Sequence, residues 1–497
     1  MRLFWWIAIA ILVPVGAAAQ SAASITQAVR SIKPDDVLSR IATIADDSMR
    51  GRNTPSPELD LTAQYIASQF RQFGLEPGGD EGSFVQRYPL YRIARRLEVT
   101  TSTGLTWRGG EEVIQVAGGG ARVASSPVLV ISGSGDLTEE TDVRGSVVLL
   151  TTEADNPRGF GPETQALMAK LREEGAAAII AATNFPERTW GFLVRRQGRS
   201  QLSKGWEGRP DGVPVLVVQA GTAKAVLSAP AQQLTSGSGL SIKRLENVQL
   251  AVTSRQDLEE LSAPNVVGIL EGSDPELKKE YVVFSAHMDH VGVGQPVNGD
   301  SIYNGADDDA SGTIAVVEAA EAFSKLRPRP KRSLIFLTVS GEEKGLWGSE
   351  YFASHPTVPA SQIVADLNTD MVGRNWPDTI VVIGKEHSDL GTTLNRVNKA
   401  HPELNMTAID DIWPEERFYY RSDHFNFARK GIPILFFFNG THPDYHRPSD
   451  EVEKIDAEKE SRIVKLVFYL GLEIANAAER PKWNPESYRQ IVEGPGR

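Results

Sequence analysis

The sequence predicts an α/β protein: a mostly parallel mixed sheet flanked by helices, interrupted by a second, β-rich module. Three observations carry this. After about residue 260, continuous apolar runs alternate with amphipathic stretches, the pattern of strands buried on both faces and covered by helices. Between about 105 and 250 the texture changes to short β-rich runs divided by Gly, Pro and Ser. At 497 residues the chain is long enough to bury more than one core.

In chain order, Arg2 precedes the uncharged apolar stretch "LFWWIAIAILVPVGAAA", which ends in small residues. A charged start, an apolar middle and an A-x-A exit predict a secretory signal peptide over 1–19. The rival reading is an uncleaved anchor, for which the apolar stretch is of marginal length. No other stretch is suited to crossing a bilayer, so the expected mature protein is periplasmic or secreted, with no membrane contact after cleavage. Segments within 35–75 carry apolar residues near a 3.6 period, and Gly74 stops the second of them; both predict helices. They open an N-terminal part of the main domain, 20–109.

Residues 110–252 form the expected insert, with runs such as "SSPVLVISG" and "GSVVLLT" and one helix, "ETQALMAKLREEGA". The main domain resumes over 253–480. Its predicted strands are "EYVVFSAHMD", "RSLIFLTVS", "QIVADLNTD", "TIVVIG" and "IPILFFFN". Its helices are "SGTIAVVEAAEAFSKL", "KGLWGSEYFASH", "GTTLNRVNKA" and "EKESRIVKLVFYLGLEIANAA". "GVGQPVNGDSIYNG" reads as an irregular loop, and 481–497 as a C-terminal tail.

Composition narrows the chemistry. The net charge of −12 argues against a nucleic-acid partner, which needs a basic face. There is no cysteine, which removes thiolate catalysis and leaves His, Asp and Glu to hold any metal. In a parallel sheet, ligands sit beyond the carboxyl ends of the strands. Polar residues collect at those ends: His287 and Asp289 in "FSAHMDH", Asp307, Asp308 and Asp309 in "NGADDDASG", Glu342 and Glu343 in "SGEEKG", Asp370 in "LNTDMVG", Tyr445 and His446 in "HPDYHRPSD". Alone, each has a bland reading as a helix cap or a solvated pair. Together, after apolar strands where an uncompensated carboxylate is costly, they predict a metal site. Imidazoles and carboxylates without thiolate suit zinc, with cobalt or manganese as substitutes. The carboxylates are too many for one tetrahedral ion and enough for two ions sharing an Asp, typically about 3.5–4 Å apart.

The ordered set H-x-D, A-D-D-D-A-S-G, G-E-E-x-G-x-x-G-S, N-x-D-M and Y-H-x-P-x-D resembles the co-catalytic di-zinc aminopeptidases of clan MH and their glutamate carboxypeptidase relatives, strongly over about 280–455. The 110–252 module resembles the protease-associated domain inserted in many members. The resemblance implies a zinc exopeptidase (phosphorylase/hydrolase-like) fold and a metallo-aminopeptidase acting on peptides with a free N-terminus. It also implies two Zn2+ per chain: His287 and Asp370 on one ion, Glu343 and His446 on the other, Asp308 bridging. Glu342 would be the general base acting on the bridging water, Asp289 would orient His287, and Tyr445 would donate to the oxyanion. A carboxypeptidase or dipeptidase of the same fold, or a glutaminyl-cyclase-like transferase, stays open as an alternative. Arg417 and Arg421 could clamp a substrate carboxylate. His424 reads as structural, and His290 and His442 as bystanders. Oligomeric state is left open by the sequence.

Overall fold

The computed structural model describes residues 21–133, 137, 141–151, 160–205, 212–226 and 240–494, so the expected signal segment lies outside the described residues. The chain divides into two compact units, Met1–Tyr88 with Ser262–Arg497, and Pro89–Leu261. The second unit is wider than the 110–252 expected from composition. Its boundaries fall inside continuous strands, Val85–Thr101 and Ser241–Leu270. A single proline stands at or near each crossing, Pro89 and Pro264, but neither interrupts its strand, so the local texture does not set the crossings apart as a linker.

In the first unit, the strands Ser333–Val339, Tyr281–His287, Ile363–Asp370 and Ile434–Phe438 are parallel neighbours in that order. Antiparallel strands flank them: residues 266–270 pair with Ser333–Val339, and Thr379–Ile383 pairs with Ile434–Phe438. Parity explains why the central runs are largely apolar on both faces. Val282, Phe284 and Ala286 join one core with Leu334 and Phe336, while Val283, Ile335, Leu337 and Val339 join the core on the other face. Successive strand side chains point to opposite faces, so a strand covered on both is apolar except where a polar side chain finds a buried partner, as Ser285 does in Asp366.

The helices Gly312–Ser324 and Ala457–Asn476 belong to the first of these cores, Trp347–Ser354 and His424–Ala428 to the second. Phe284 stacks on Phe336 at 5.2 Å, and Phe323 meets Phe468 at 4.5 Å, pinning both long helices to the strands. Gly471 is required here, because a Cβ would lie 2.3 Å from Phe284 Cζ. A fully buried Phe contributes about 1.5–3 kcal/mol, so this aromatic group is a substantial share of a domain's stability.

Two local readings change. Residues expected as an irregular loop form a hairpin, Gly292–Val297 with Asp300–Tyr303, turning at Asn298 and Gly299, both with positive φ. Asn-Gly is a strong hairpin signal because both central residues accept that conformation. The expected tail is also structured: Asn484 caps the helix Pro485–Ile491, Trp483 Nε1 donates to Gly431 O, and Trp483 and Ile491 pack on the core.

The second unit has its own cores. The strands Ala121–Ser132, Val147–Thr151, Ala178–Thr183 and Val215–Gln219 run parallel in that order, and Val113–Ala117 closes antiparallel. It carries the expected helix at Pro162–Glu173 and another at Glu187–Gly198.

Candidate metal centre

The parallel strands deliver their carboxyl ends to one region. His287 and Asp370 are the last residues of their strands. Glu342 and Glu343 form a single turn just beyond Ser333–Val339, and the Asp triplet sits in the turn before the helix Gly312–Ser324. Tyr445 and His446 follow Ile434–Phe438 in a loop where His446 takes a positive φ of 54°. Such a conformation is uncommon for a residue with a Cβ and costs energy that the surroundings must supply.

Backbone hydrogen bonds sort the triplet. The carboxylate of Asp309 accepts the N–H groups of His287, Gly312 and Met371, at 2.9–3.1 Å. Asp307 accepts the N–H of Gly373, and Asp450 accepts those of Asp307 and Asp308. The outer acids thus fasten the chain, and of the three only Asp308 brings its carboxylate oxygens to both His287 and His446. Its Oδ1 lies 3.4 Å from His287 Nε2, and its Oδ2 lies 3.1 Å from His446 Nε2. His287 Nε2 is 3.7 Å from Asp370 Oδ1, and His446 Nε2 is 3.2 Å from Glu343 Oε1. Among the described residues, two donor groups result: His287, Asp309 and Asp370, and His290, Asp308, Glu343 and His446. Asp309 is already engaged by three N–H groups, which leaves Asp308 the better-placed third donor beside His287.

The charges point to missing cations. Asp308 Oδ2, Glu343 Oε1, Asp370 Oδ1 and both ring nitrogens of His290 are buried without a hydrogen-bond partner. Buried polar atoms are nearly always satisfied, so three carboxylate oxygens and His290 Nδ1 left facing one another fit divalent ions. The titrations agree. Burial pushes His446 down, but Asp308 and Glu343 override it and raise the imidazole to about 10. Burial disfavours the His287 cation too, and the fields of Asp309 and Asp370 still hold it well above its usual value. In the metal-free site the imidazoles must serve as the cations.

Glu342 is held differently. Its backbone N–H donates to Asp289 Oδ1 at 3.3 Å, and Thr54 Oγ1 donates to Asp289 Oδ2 at 2.7 Å. Burial, opposed by His287 and reinforced by Asp423, Asp370 and Glu343, raises its carboxyl well above the ordinary range. The Asp289 carboxylate therefore positions the Glu342 turn. The His287 ring meets the backbone carbonyl of Asp289 at 3.1 Å, with the carboxylate at 3.8 Å. This modifies the expectation that the carboxylate orients the imidazole: the nearer partner belongs to the same residue, through its main chain. Tyr445 stacks on the His446 ring at 4.0 Å, and burial keeps its phenol protonated far above neutral pH.

Sequence reasoning missed several supports. Arg52, fully buried, donates to the carbonyls of Ile44, Met288, Asn304 and Gly305, clamping the chain on both sides of the donors. Ser422 donates to Asp370 Oδ2. These contacts span long sequence separations and leave no local signal. His290, expected to be a bystander, is a member of a donor group, and its place in "HMDH" was the available sign. His442 Nε2 faces Asp307 Oδ2 at 3.2 Å, away from both donor groups. His424 is buried and hydrogen-bonded to Tyr419 O. Arg421 lies over Phe418 and pairs with Glu416, and Arg417 lies over Tyr420.

Residues 265–471 match Peptidase family M28. Among curated proteins, the chain is 29% identical over 222 residues to a "probable leucine aminopeptidase" of Arthroderma benhamiae, covering 43% of this chain and 58% of that protein. It is 24% identical over 440 residues to "Aminopeptidase YwaD" of Bacillus subtilis, covering 85% of this chain and 80% of that protein. The chain thus spans 58% of the length of the fungal relative. Among solved structures, an aminopeptidase from Aneurinibacillus sp. strain AM-1 aligns over 93% of this chain and 98% of its own, at 18% identity and a TM-score of 0.46.

Proposed function

We propose that this chain, whose residues 265–471 match Peptidase family M28, is an exported zinc-dependent aminopeptidase, removing single residues from free N-termini of peptides. The observation that carries the reading is Asp308, whose two oxygens face two separate imidazoles, with unpartnered carboxylate oxygens around each. His287, Asp308 and Asp370 would hold one zinc, and Asp308, Glu343 and His446 the other. Two such ions would polarise the scissile carbonyl and acidify the attacking water. The chain's own residues do the rest. Glu342, its carboxyl already raised, accepts a proton from the attacking water and returns it to the leaving amine. The Tyr445 phenol, protonated and fixed by stacking on His446, donates a hydrogen bond to the oxyanion. Asp289 holds the Glu342 turn in place.

The direction of cleavage follows from charge. Asp289, Asp308, Glu342, Glu343 and Asp370 exceed the charge of two zinc ions, so a free α-ammonium is attracted where a carboxylate is repelled. The arginines that could reverse this are occupied: Arg421 with Glu416 and Phe418, Arg417 with Tyr420. Insertion of the unit Pro89–Leu261 between Tyr88 and Ser262, with cores of its own, supports its reading as a protease-associated domain. Comparing leucine p-nitroanilide with its N-acetylated form and with a blocked acidic dipeptide tests the assignment. The free amine should be strongly preferred, and phenanthroline should abolish the activity until zinc is returned. Faster hydrolysis of the blocked substrates would establish a carboxypeptidase instead.

A further inference from the structure

We propose that His290, through Nδ1, is a fourth protein ligand of the ion held by Asp308, Glu343 and His446. This gives the two metal positions unequal donor sets, four protein residues at one and three at the other. The inference rests on the zinc reading above and extends it to a residue outside the ordered motif set.

The donor distances carry the argument. Glu343 Oε1 lies 2.9 Å from His290 Nδ1 and 3.2 Å from His446 Nε2. Asp308 Oδ2 lies 3.7 Å from His290 Nδ1 and 3.1 Å from His446 Nε2. Zinc binds nitrogen and oxygen at about 2.0–2.2 Å, so the edges of a tetrahedron of such donors are about 3.3–3.6 Å. Three of the four measured distances lie 0.1–0.4 Å below that range and one 0.1 Å above it, close enough that small side-chain shifts bring the four donors onto one ion. The imidazoles of His290 and His446 meet edge-on at 73°, with centroids 5.5 Å apart, so both bring nitrogens to the same two carboxylate oxygens without stacking.

His290 is also built into its place. It is fully buried, Nε2 has no hydrogen-bond partner, and Nδ1 meets nothing but the Glu343 and Asp308 carboxylates. Gly305, at φ +58°, lies against the ring so closely that a Cβ would sit 2.5 Å from His290 Cγ. Arg52 fixes the backbone on both sides of that contact, through the carbonyls of Met288 and Gly305. A bystander imidazole would be expected to satisfy its nitrogens elsewhere; this one is packed so that Nδ1 faces two carboxylates. On the other side, His287, Asp308 and Asp370 supply three donors, the number that leaves a catalytic zinc an open position.

The test is metal affinity measured by chelator competition on the full-length protein, wild type against His290→Gln. Wild type should hold two zinc equivalents, one distinctly tighter. The variant should lose more than about 100-fold affinity at the tight position while the other is unchanged, beyond the about 10–100-fold that a merely orienting partner costs. A loss of 100-fold or less would overturn the proposal. X-ray absorption of wild type loaded with one zinc equivalent needs no variant, so it decides the matter even if His290→Gln fails to fold. Two imidazole ligands on that ion support the assignment, and one refutes it. A wild-type protein that bound no zinc, or only one equivalent, would refute the aminopeptidase reading itself, a result separable from a failure of His290 alone.

Discussion

His424 should make the protein acid-sensitive by a calculable amount. The side chain is fully buried, stacks on Phe436 at 4.1 Å and hydrogen-bonds Tyr419 O through Nε2. Burial depresses its pKa from 6.5 to about 3, outweighing the opposing backbone bond to Tyr419. The sign follows: in the folded state the ring stays neutral, while in the unfolded chain it takes up a proton below about pH 6.5. Its stability contribution is therefore complete above pH 6.5 and is lost as pH falls toward 3. At about 1.4 kcal/mol per pH unit, the loss between pH 7 and pH 5 is about 2 kcal/mol. His424→Gln retains a donor for Tyr419 O and removes the titration. Urea unfolding of wild type and variant at both pH values isolates the effect, because the other titrating groups are common to both proteins. Wild-type stability should fall about 2 kcal/mol further than the variant's on acidification. Parallel losses in the two proteins, within about 0.5 kcal/mol, would refute the reasoning and mean that the buried ring takes up its proton in the folded state.

Glu342→Gln should lower turnover about 10²–10⁴-fold with zinc content near wild type, whereas Glu343→Gln should lower zinc content itself; equal metal loss in both would show the roles to be wrongly divided. Arg52→Met removes a buried cation bonded to four carbonyls and should cost about 3–5 kcal/mol in denaturant unfolding, the scale of breaking a buried charged network. Replacing residues 89–261 by a short linker should leave a folded, zinc-binding unit, since Arg87 bonds Ser262 at 3.3 Å and Gln86 bonds Asn265 at 3.1 Å on either side of the junction. Aggregation of that variant, or loss of its zinc, would show that the first unit depends on the second.

Local chemistry in the sequence determined much of this protein. Apolar runs such as 333–339 could only be strands covered on both faces, and the helix 457–476 announced itself by period and length. The donors at the strand ends were legible because a parallel sheet places successive carboxyl ends together whatever the loops do. The Asn298-Gly299 turn is equally local, since both residues take the positive φ that a two-residue hairpin needs. What needed the tertiary structure depends on contacts between distant residues. Asp308 differs from its neighbours only because the backbone N–H groups of His287, Gly373, Gly312 and Met371 claim Asp307 and Asp309. Arg52 and Thr54 reach the site across more than 230 residues, and the insert begins within unbroken strands. His290 is the sharpest case: its spacing from His287 is plain in the sequence, yet whether its ring meets a metal depends on Gly305, Glu343 and His446, which only folding brings against it.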